Sequence, residues 1–207
     1  MTEAEWLACE NPTAMVEYLR GRSSDRRWRL LNCLCGRLAW VDITDERSRQ
    51  AVDIGEKYAD NLASESQREQ VLVAAGQVVE EAVGFQEFRY AAHAAIARDC
   101  VMPRIKGSLR FLPSEETHGQ ICTYIRELFR NPFRSACIDL SWLSWRDGTV
   151  EKIAQAIYNE PAFDRLPILA DALEDAGCTD PQILDHCRQP GEHVRGCWVI
   201  DALLGKS

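Results

Sequence analysis

Three observations in this 207-residue sequence predict an all-α fold. Apolar residues recur at intervals of three and four in nearly every segment, which is the spacing of one helix face. Ser, Thr, Asn or Asp stands before many of these segments and glycine follows several of them, as at helix ends. No unit of roughly 20 to 50 residues repeats cleanly, so we expect an irregular multi-helix bundle or an array of helix hairpins.

The first two predicted helices carry their start and stop signals in the sequence. Thr2 and Glu5 have the spacing of a capping box, which predicts a short first helix. In "NPTAMVEYLRG", Asn11 is the expected N-cap, Pro12 the first helical residue and Gly21 the terminator. Two short helices are therefore expected at the amino-terminal end.

Two longer helices are predicted next. Ser23 or Ser24 is the expected N-cap of a helix that runs to about residue 41, and Thr44 is the expected N-cap of one that runs to about residue 63. The buried stripe predicted for the second of these helices consists of Ala51, Ile54, Tyr58 and Leu62.

The middle of the chain predicts a division into two helical subdomains. An apolar pattern over 67–101 is interrupted near Gly84, which predicts two antiparallel helices. Residues 102–114 break the helical pattern with two prolines, a glycine and local basic charge. This segment is expected to be either a connection between domains or a short β-like segment. We therefore predict subdomains 1–101 and 115–207 with 102–114 as the linker.

Helical patterns continue through the carboxyl-terminal half. Ser114 is the expected N-cap of a helix whose apolar face consists of Ile121, Tyr124, Ile125, Leu128 and Phe129. Thr149 is the expected N-cap of a second helix, with Val150, Ile153, Ala154, Ile157 and Tyr158 at the same spacing. "PAFDRLPILADALEDAG" and "DPQILDHC" predict two helices joined by a tight turn, and "HVRGCWVIDALLG" predicts one last helix.

The composition is typical of a globular protein of the cytoplasm. Apolar residues make up 46% of the chain, and "MTEAEWLACENP" lacks the basic and apolar regions of a secretory signal. The most apolar stretches are far too short to cross a bilayer. The nine cysteines, an odd number at irregular spacing, are expected as reduced thiols. A net charge of −8 weighs against nucleic acid as a partner.

One short stretch, "GCTDPQILDHCRQPGEHVRGCW", gathers the candidate metal ligands, which are Cys178, His186, Cys187, His193 and Cys197. Structural zinc takes four Cys or His ligands, usually as two close pairs. His193 and Cys197 form one such pair if they lie on a helix, because residues four apart share a face. Cys178 and Cys187 are too far apart to form the second pair. We expect these residues to pack between helices, with a zinc site as the alternative.

Two other patterns suggest chemistry. Glu115 and His118 form an E-x-x-H pair, the half-motif of di-iron bundles, but the second copy is missing. Cys33 is expected opposite the buried side of its helix, beside Arg29 and Arg37, which would favour a reactive thiolate. The sequence shows no general base or oxyanion site for it. A partly covered thiol on a basic helix face is the simpler interpretation.

Two candidate binding surfaces are visible. The segment 20–37 is rich in arginine and predicts a basic helix face that contains Arg26, Arg29 and Arg37. Such a face docks an acidic partner or nucleic acid, or it pairs with acids of a neighbouring helix, such as Asp45 and Glu46. Trp142 and Trp145 in "LSWLSW" are candidate anchors for a protein partner, since tryptophan is enriched at binding hot spots. Core packing is the simpler role for both tryptophans.

The two ends of the chain resemble a known group of proteins. "MTEAEWLAC", "LFRNPFR", "AQAIYNEPAFDRLPILADALEDAGC" and "HCRQPGEHVRGCWVIDALLGK" are similar to an expanded family of bacterial helical proteins. The stretch "ILADALEDAGCTDPQILDHCR" also resembles the repeat-companion domain, a short helical module found beside leucine-rich repeats. Residues 65–115 are not clearly matched. The resemblance implies an association role and carries over no catalytic residue.

The leading hypothesis from the sequence is a non-enzymatic helical protein that binds a protein partner or acts as a scaffold. No dinucleotide-binding glycine motif, Walker loop, nucleophile elbow or H-E-x-x-H motif is present. The expected state has no cofactor. The alternative hypothesis is a zinc-binding or thiol-dependent protein that uses the carboxyl-terminal Cys and His residues.

Overall fold

The computed structural model of this chain describes residues 1–81 and 115–206. Within these ranges the chain forms eleven α-helices, one short 3-10 helix and no strand, which confirms the predicted all-α fold. The interruption near Gly84, the cap at Ser114 and the linker 102–114 lie outside the described residues. No described helix is both long and apolar enough to span a membrane.

The chain divides into two compact units, Met1–Arg126 and Glu127–Ser207. The helices that begin in the first unit are α1 (Glu3–Leu7), α2 (Pro12–Tyr18), α3 (Asp25–Leu38), α4 (Glu46–Ala59), α5 (Glu65–Glu81) and α6 (Glu115–Phe129). The second unit holds the last turn of α6 together with α7 (Leu140–Ser144), α8 (Thr149–Asn159), α9 (Leu166–Asp175), α10 (Pro181–Arg188) and α11 (Trp198–Leu203). A 3-10 turn over Phe163–Arg165 leads into α9.

The predicted caps of the first two helices are confirmed. The Glu5 backbone N–H donates to the Thr2 hydroxyl over 3.2 Å, and the Thr2 backbone N–H donates to the Glu5 carboxylate over 2.7 Å. The Asn11 side chain accepts from the Ala14 backbone N–H, with Pro12 in the first turn of α2. Short-range chemistry alone therefore determines where these helices begin.

The fourth helix differs from its prediction at both ends. Its N-cap is Asp45 instead of Thr44, because the Asp45 carboxylate accepts from the Arg47 backbone N–H over 2.8 Å. It ends at Ala59, and Leu62 is 70% exposed. The buried stripe consists of Ser48, Ala51, Val52, Gly55 and Ala59. This stripe is rotated from the predicted one, so that Val52 packs against α3.

The second unit has one apolar core. Its buried members come from α7 to α11 and include Val150, Ile157, Leu166, Leu169, Leu173, Ile183 and Ile200. The apolar positions predicted for α6 are all buried, and so are four of the five predicted for α8. Gly148, in the left-handed region with φ of 78°, is the residue before α8, and Thr149 is its first helical residue.

The turn after α9 has the predicted Schellman geometry. Gly177 has a φ of 98°, the Cys178 N–H donates to the Leu173 carbonyl over 2.9 Å, and the Gly177 N–H donates to the Glu174 carbonyl over 3.0 Å. Cys178 is 1% exposed. The prediction that Cys178 packs as the residue after a terminating glycine is confirmed.

Replacing Gly177 with alanine is expected to lower the free energy of unfolding by about 1 kcal/mol, because a Cβ is strained in the left-handed region. Apart from Gly177 and its chain neighbours, no atom of the described residues lies within 4 Å of the position of that Cβ, so the backbone conformation causes the loss. Urea denaturation of the full chain measures it. Gly191→Ala is the control, since Gly191 also has open space but no positive φ, and it is expected to change stability little. Equal losses in the two variants would contradict this account of Gly177.

The last helix is much shorter than predicted. Only Trp198–Leu203 is helical, and Cys197 is the residue before it. The preceding segment is irregular because Pro190 follows the end of α10 and Gly196 adopts a φ of 92°. The expectation that His193 and Cys197 share a helix face is therefore wrong. Both residues belong to a loop that turns back toward α10.

Candidate metal centre

Four side chains of the second unit converge on one point. Glu127, His186, His193 and Cys197 each offer a ligand atom, and these atoms all lie within 4.8 Å of one another. Glu127 lies in the last turn of α6 and His186 in the last turn of α10. His193 lies in the irregular loop, and Cys197 immediately precedes α11.

Local sequence chemistry brings the three carboxyl-terminal groups together. The Asp180 carboxylate accepts from the Gln182 N–H over 2.9 Å and begins α10, whose buried face includes His186. The loop returns the chain so that the His186 and His193 rings meet edge to face, with centroids 5.0 Å apart. A turn closed by the Cys197 N–H and the Val194 carbonyl, 2.9 Å apart, then directs the chain into α11.

Three pairs of donor atoms lie 2.8 to 3.4 Å apart, close to the spacing in a tetrahedral metal shell. Nδ1 of His193 lies 2.8 Å from Oε1 of Glu127. Nε2 of His186 lies 3.4 Å from Oε2 of Glu127 and 3.2 Å from Sγ of Cys197. Zinc bonds of about 2.0 to 2.3 Å place tetrahedral donors roughly 3.3 to 3.6 Å apart. The 2.8 Å pair would have to open and pairs near the 4.8 Å limit would have to close, by up to about an ångström, to admit an ion at this spacing.

The cluster is buried and charged. Glu127 is 5% exposed, and its carboxylate lies in the last turn of a helix, where the helix dipole disfavours negative charge. Burial raises the pKa of Glu127, but hydrogen bonds and charges from His186 and His193 outweigh burial and lower it to about 2. Burial lowers the pKa of His193, but the hydrogen bond and negative charge of Glu127 outweigh burial, so the pKa is raised. The carboxylate is therefore ionised between two imidazoles.

Cys197 does not suit a nucleophile. Its side chain is fully buried, and burial together with the negative charge of Glu127 raises the pKa of its thiol well above the ordinary value. Reactive cysteines need exposure and a lowered pKa, and Cys197 has neither. A bound cation would reverse this electrostatic balance, since a coordinating thiol loses its proton. The thiol is therefore suited to coordination and unsuited to attack on a substrate.

One nitrogen of the cluster has no hydrogen bond. Among the described residues, Nε2 of His193 is buried without a hydrogen bond of good geometry, although the Gln189 backbone lies near enough to the His193 ring to raise its pKa. Leaving a buried polar atom unpaired costs about 1 to 3 kcal/mol. The ring of His186 has hydrogen-bond partners outside the cluster. Its Nδ1 lies 3.2 Å from the Trp198 indole nitrogen and 3.3 Å from the Gln189 amide nitrogen.

Known proteins give no guide to this cluster. No family model, curated protein or solved structure matches the chain. The resemblance to a bacterial helical family and to the repeat-companion domain therefore stays a prediction. What the cluster does has to be inferred from its own donor atoms.

The structure brings together three of the five metal ligands proposed from the sequence, which are His186, His193 and Cys197. Cys178 and Cys187 lie in the apolar core outside the ligand set. Burial raises the pKa of the Cys187 thiol to about 12. His118 of the E-x-x-H pair is not among the ligands either. Glu127 was missed, because it lies outside the apolar stripe of α6 and far from the other ligands in sequence.

The predicted exposure of Cys33 is wrong. Its side chain is fully buried in a small cluster with Val52, against which Trp40 also packs. The close approach of α3 and α4 explains this, since a Cβ on Gly36 would lie only 2.9 Å from the Val52 side chain. A thiol buried there does not lie on the predicted basic face.

The arginines of the predicted basic face contact the neighbouring α4 and Asp60, the residue that follows it. Their acidic partners are not Asp45 and Glu46, the two acids named from the sequence. Arg37 lies 2.6 Å from Asp53 and 2.8 Å from Glu56, and its guanidinium also stacks on Trp40. Arg26 lies 2.9 Å from Asp60. Arg29 stacks on Tyr58, 4.4 Å from the ring centre. These arginines therefore have partners inside the first unit.

The two tryptophans proposed as anchors contact the second core. Trp142 is 9% exposed and belongs to the core, and Trp145 is partly buried against it. The simpler interpretation, that these tryptophans pack in the core, is confirmed. Their burial gives no support to a protein-binding role for them.

Proposed function

We propose that the second unit is a zinc-binding module whose ligands are Glu127, His186, His193 and Cys197. The observation that carries the proposal is the convergence of their ligand atoms within 4.8 Å in a buried site. One thiolate, two imidazoles and one carboxylate are a donor set that suits zinc, a borderline-soft ion without geometric preference. Purely thiolate sites suit copper(I) and iron–sulfur clusters as well as zinc, and purely oxygen sites suit magnesium or calcium.

The metal would have a structural role. Four protein ligands complete the coordination of zinc and leave no open position for a substrate, unlike catalytic sites with three protein ligands. The ion would supply a positive charge that keeps Cys197 as a thiolate beside the Glu127 carboxylate. It would join the end of α6, the end of α10 and the loop before α11. The module would thus be stabilised by the ion without catalysing a reaction.

The thiol state of the chain supports a reducing compartment such as the cytoplasm. All eight cysteines in the described residues are free. A zinc thiolate persists where thiols stay reduced, and disulfides would otherwise compete for the ligand. A protein-association role stays a prediction beside the zinc proposal, since a structural metal module can also bind a partner.

Elemental analysis of the purified full-length protein tests the zinc proposal. After incubation with excess zinc and removal of unbound metal, we expect about one zinc ion per chain. Cobalt(II) substitution is expected to give the visible absorption of a tetrahedral site with a thiolate charge-transfer band. Cys197→Ser is expected to remove the charge-transfer band and most of the bound zinc.

Cys178→Ser is the matched control, because Cys178 is an equally buried thiol of the same unit outside the ligand set. It is expected to keep both the zinc and the cobalt spectrum. A wild-type chain that retains no metal would refute the proposal. So would a cobalt spectrum that is the same in Cys197→Ser and in the wild type.

A further inference from the structure

The two nitrogens of His186 have different partners, and this difference carries a consequence for metal binding. Nε2 faces the cluster, 3.2 Å from Sγ of Cys197 and 3.4 Å from Oε2 of Glu127. Nδ1 faces the opposite way. Trp198 and Gln189 are the groups that the structure describes within hydrogen-bond distance of Nδ1.

Trp198 fixes one tautomer of His186. An indole N–H can only donate, so Nδ1 accepts its hydrogen bond over 3.2 Å. The proton of the neutral His186 ring is then on Nε2, where it points toward Cys197 and Glu127. This tautomer lets His186 donate a hydrogen bond within the cluster, but it blocks the nitrogen that a metal would need.

Metal binding requires the other tautomer. A ligating Nε2 must present its lone pair to the ion, so the ring proton moves to Nδ1. An Nδ1–H group cannot accept from the Trp198 indole, because two donors would then face each other. A metal-bound His186 therefore has to shift away from the Trp198 N–H, with loss of that hydrogen bond, and it needs a different neighbour that accepts a hydrogen bond at Nδ1.

Gln189 can supply that acceptor. It follows His186 by one helical turn, and its amide nitrogen lies 3.3 Å from Nδ1. Its amide carries an oxygen and a nitrogen on the same carbon, so a half-turn of the amide replaces the donor with an acceptor. Gln189 is exposed at the edge of the site, so this rotation displaces no core residue.

We propose that Gln189 is a positioning residue for the zinc site, which holds His186 in the metal-binding tautomer by accepting a hydrogen bond from Nδ1–H. This inference rests on the proposed zinc-binding function. The number of protons on the ring stays the same, since the proton lost from Nε2 is matched by one gained on Nδ1. Hydrogen-bond acceptors behind metal-ligating histidines commonly orient the ring in this way.

Zinc affinities of full-length variants, measured by competition with a chromophoric chelator, test this role. Gln189→Leu removes the acceptor and is expected to weaken zinc binding by about 10- to 100-fold. Gln189→Glu provides an acceptor that cannot donate, and it is expected to bind zinc at least as tightly as the wild type. Gln182→Leu makes the same substitution at the start of α10, away from the ligands, and is expected to leave the affinity unchanged.

Nitrogen-15 NMR of the zinc-loaded protein gives a second readout, the protonation of the two His186 nitrogens. A residue with a merely structural role would not change it. The wild type is expected to show His186 protonated at Nδ1 and bound through Nε2. Unchanged zinc affinity in Gln189→Leu, or an equal loss in Gln189→Glu, would overturn the role of Gln189 while leaving the zinc site intact. A wild-type chain that binds no zinc in the same titration would overturn both proposals.

Discussion

Zinc is expected to raise the free energy of unfolding of the second unit by about 4 kcal/mol when free zinc exceeds its dissociation constant a thousandfold. The effect is large because the unfolded chain cannot hold the four ligands together. Glu127 is separated from His186 by most of the second unit, so an ion that binds all the ligands selects the folded chain. Urea denaturation at a series of zinc concentrations measures the increase.

The increase in the free energy of unfolding should be confined to the second unit, and it should require all four ligands. Hydrogen exchange is expected to slow in peptides from 127–206 and to stay unchanged in peptides from 1–81. Cys197→Ser is expected to lose the stabilisation, whereas Cys178→Ser keeps it. Equal stabilisation of both units by zinc would indicate nonspecific binding and would contradict the assigned site.

Helix ends were predictable wherever a few neighbouring residues determine them. The capping box at Thr2 and the Schellman turn at Gly177 depend on hydrogen bonds within a few residues, and both have the expected geometry. The face that a helix buries was less predictable. Val52 is buried because Gly36 allows α3 to approach it closely, and the spacing of apolar residues in α4 does not contain that information.

The metal cluster was only partly visible in the sequence for a similar reason. His186, His193 and Cys197 were noticed because they lie close together in the chain. Spacing rules for zinc ligands describe pairs held by one short turn, and here the loop after α10 brings these residues together instead. Glu127 comes from a distant helix, and only tertiary folding shows that it completes the set.

Truncation of Leu169 to alanine is expected to cost about 3 kcal/mol of unfolding free energy, within the range of about 2 to 5 kcal/mol for buried leucines. Leu169 is fully buried in the core of the second unit. Its removal loses the transfer free energy of the side chain and leaves a cavity. For a unit of this size, the loss corresponds to a fall in the melting temperature of roughly 12 to 24 °C. Thermal unfolding followed by circular dichroism measures it.

Ile168→Ala is the matched control for this loss, because Ile168 is the neighbouring residue of α9 and is 57% exposed. Its truncation is expected to change the free energy of unfolding by less than about 0.5 kcal/mol. Both variants keep all four proposed ligands, so each folded variant should still bind about one zinc ion. A loss in Ile168→Ala as large as that in Leu169→Ala would contradict the assigned core. Loss of zinc from folded Leu169→Ala would show that zinc binding depends on the packing of the core, although Leu169 is not one of the ligands.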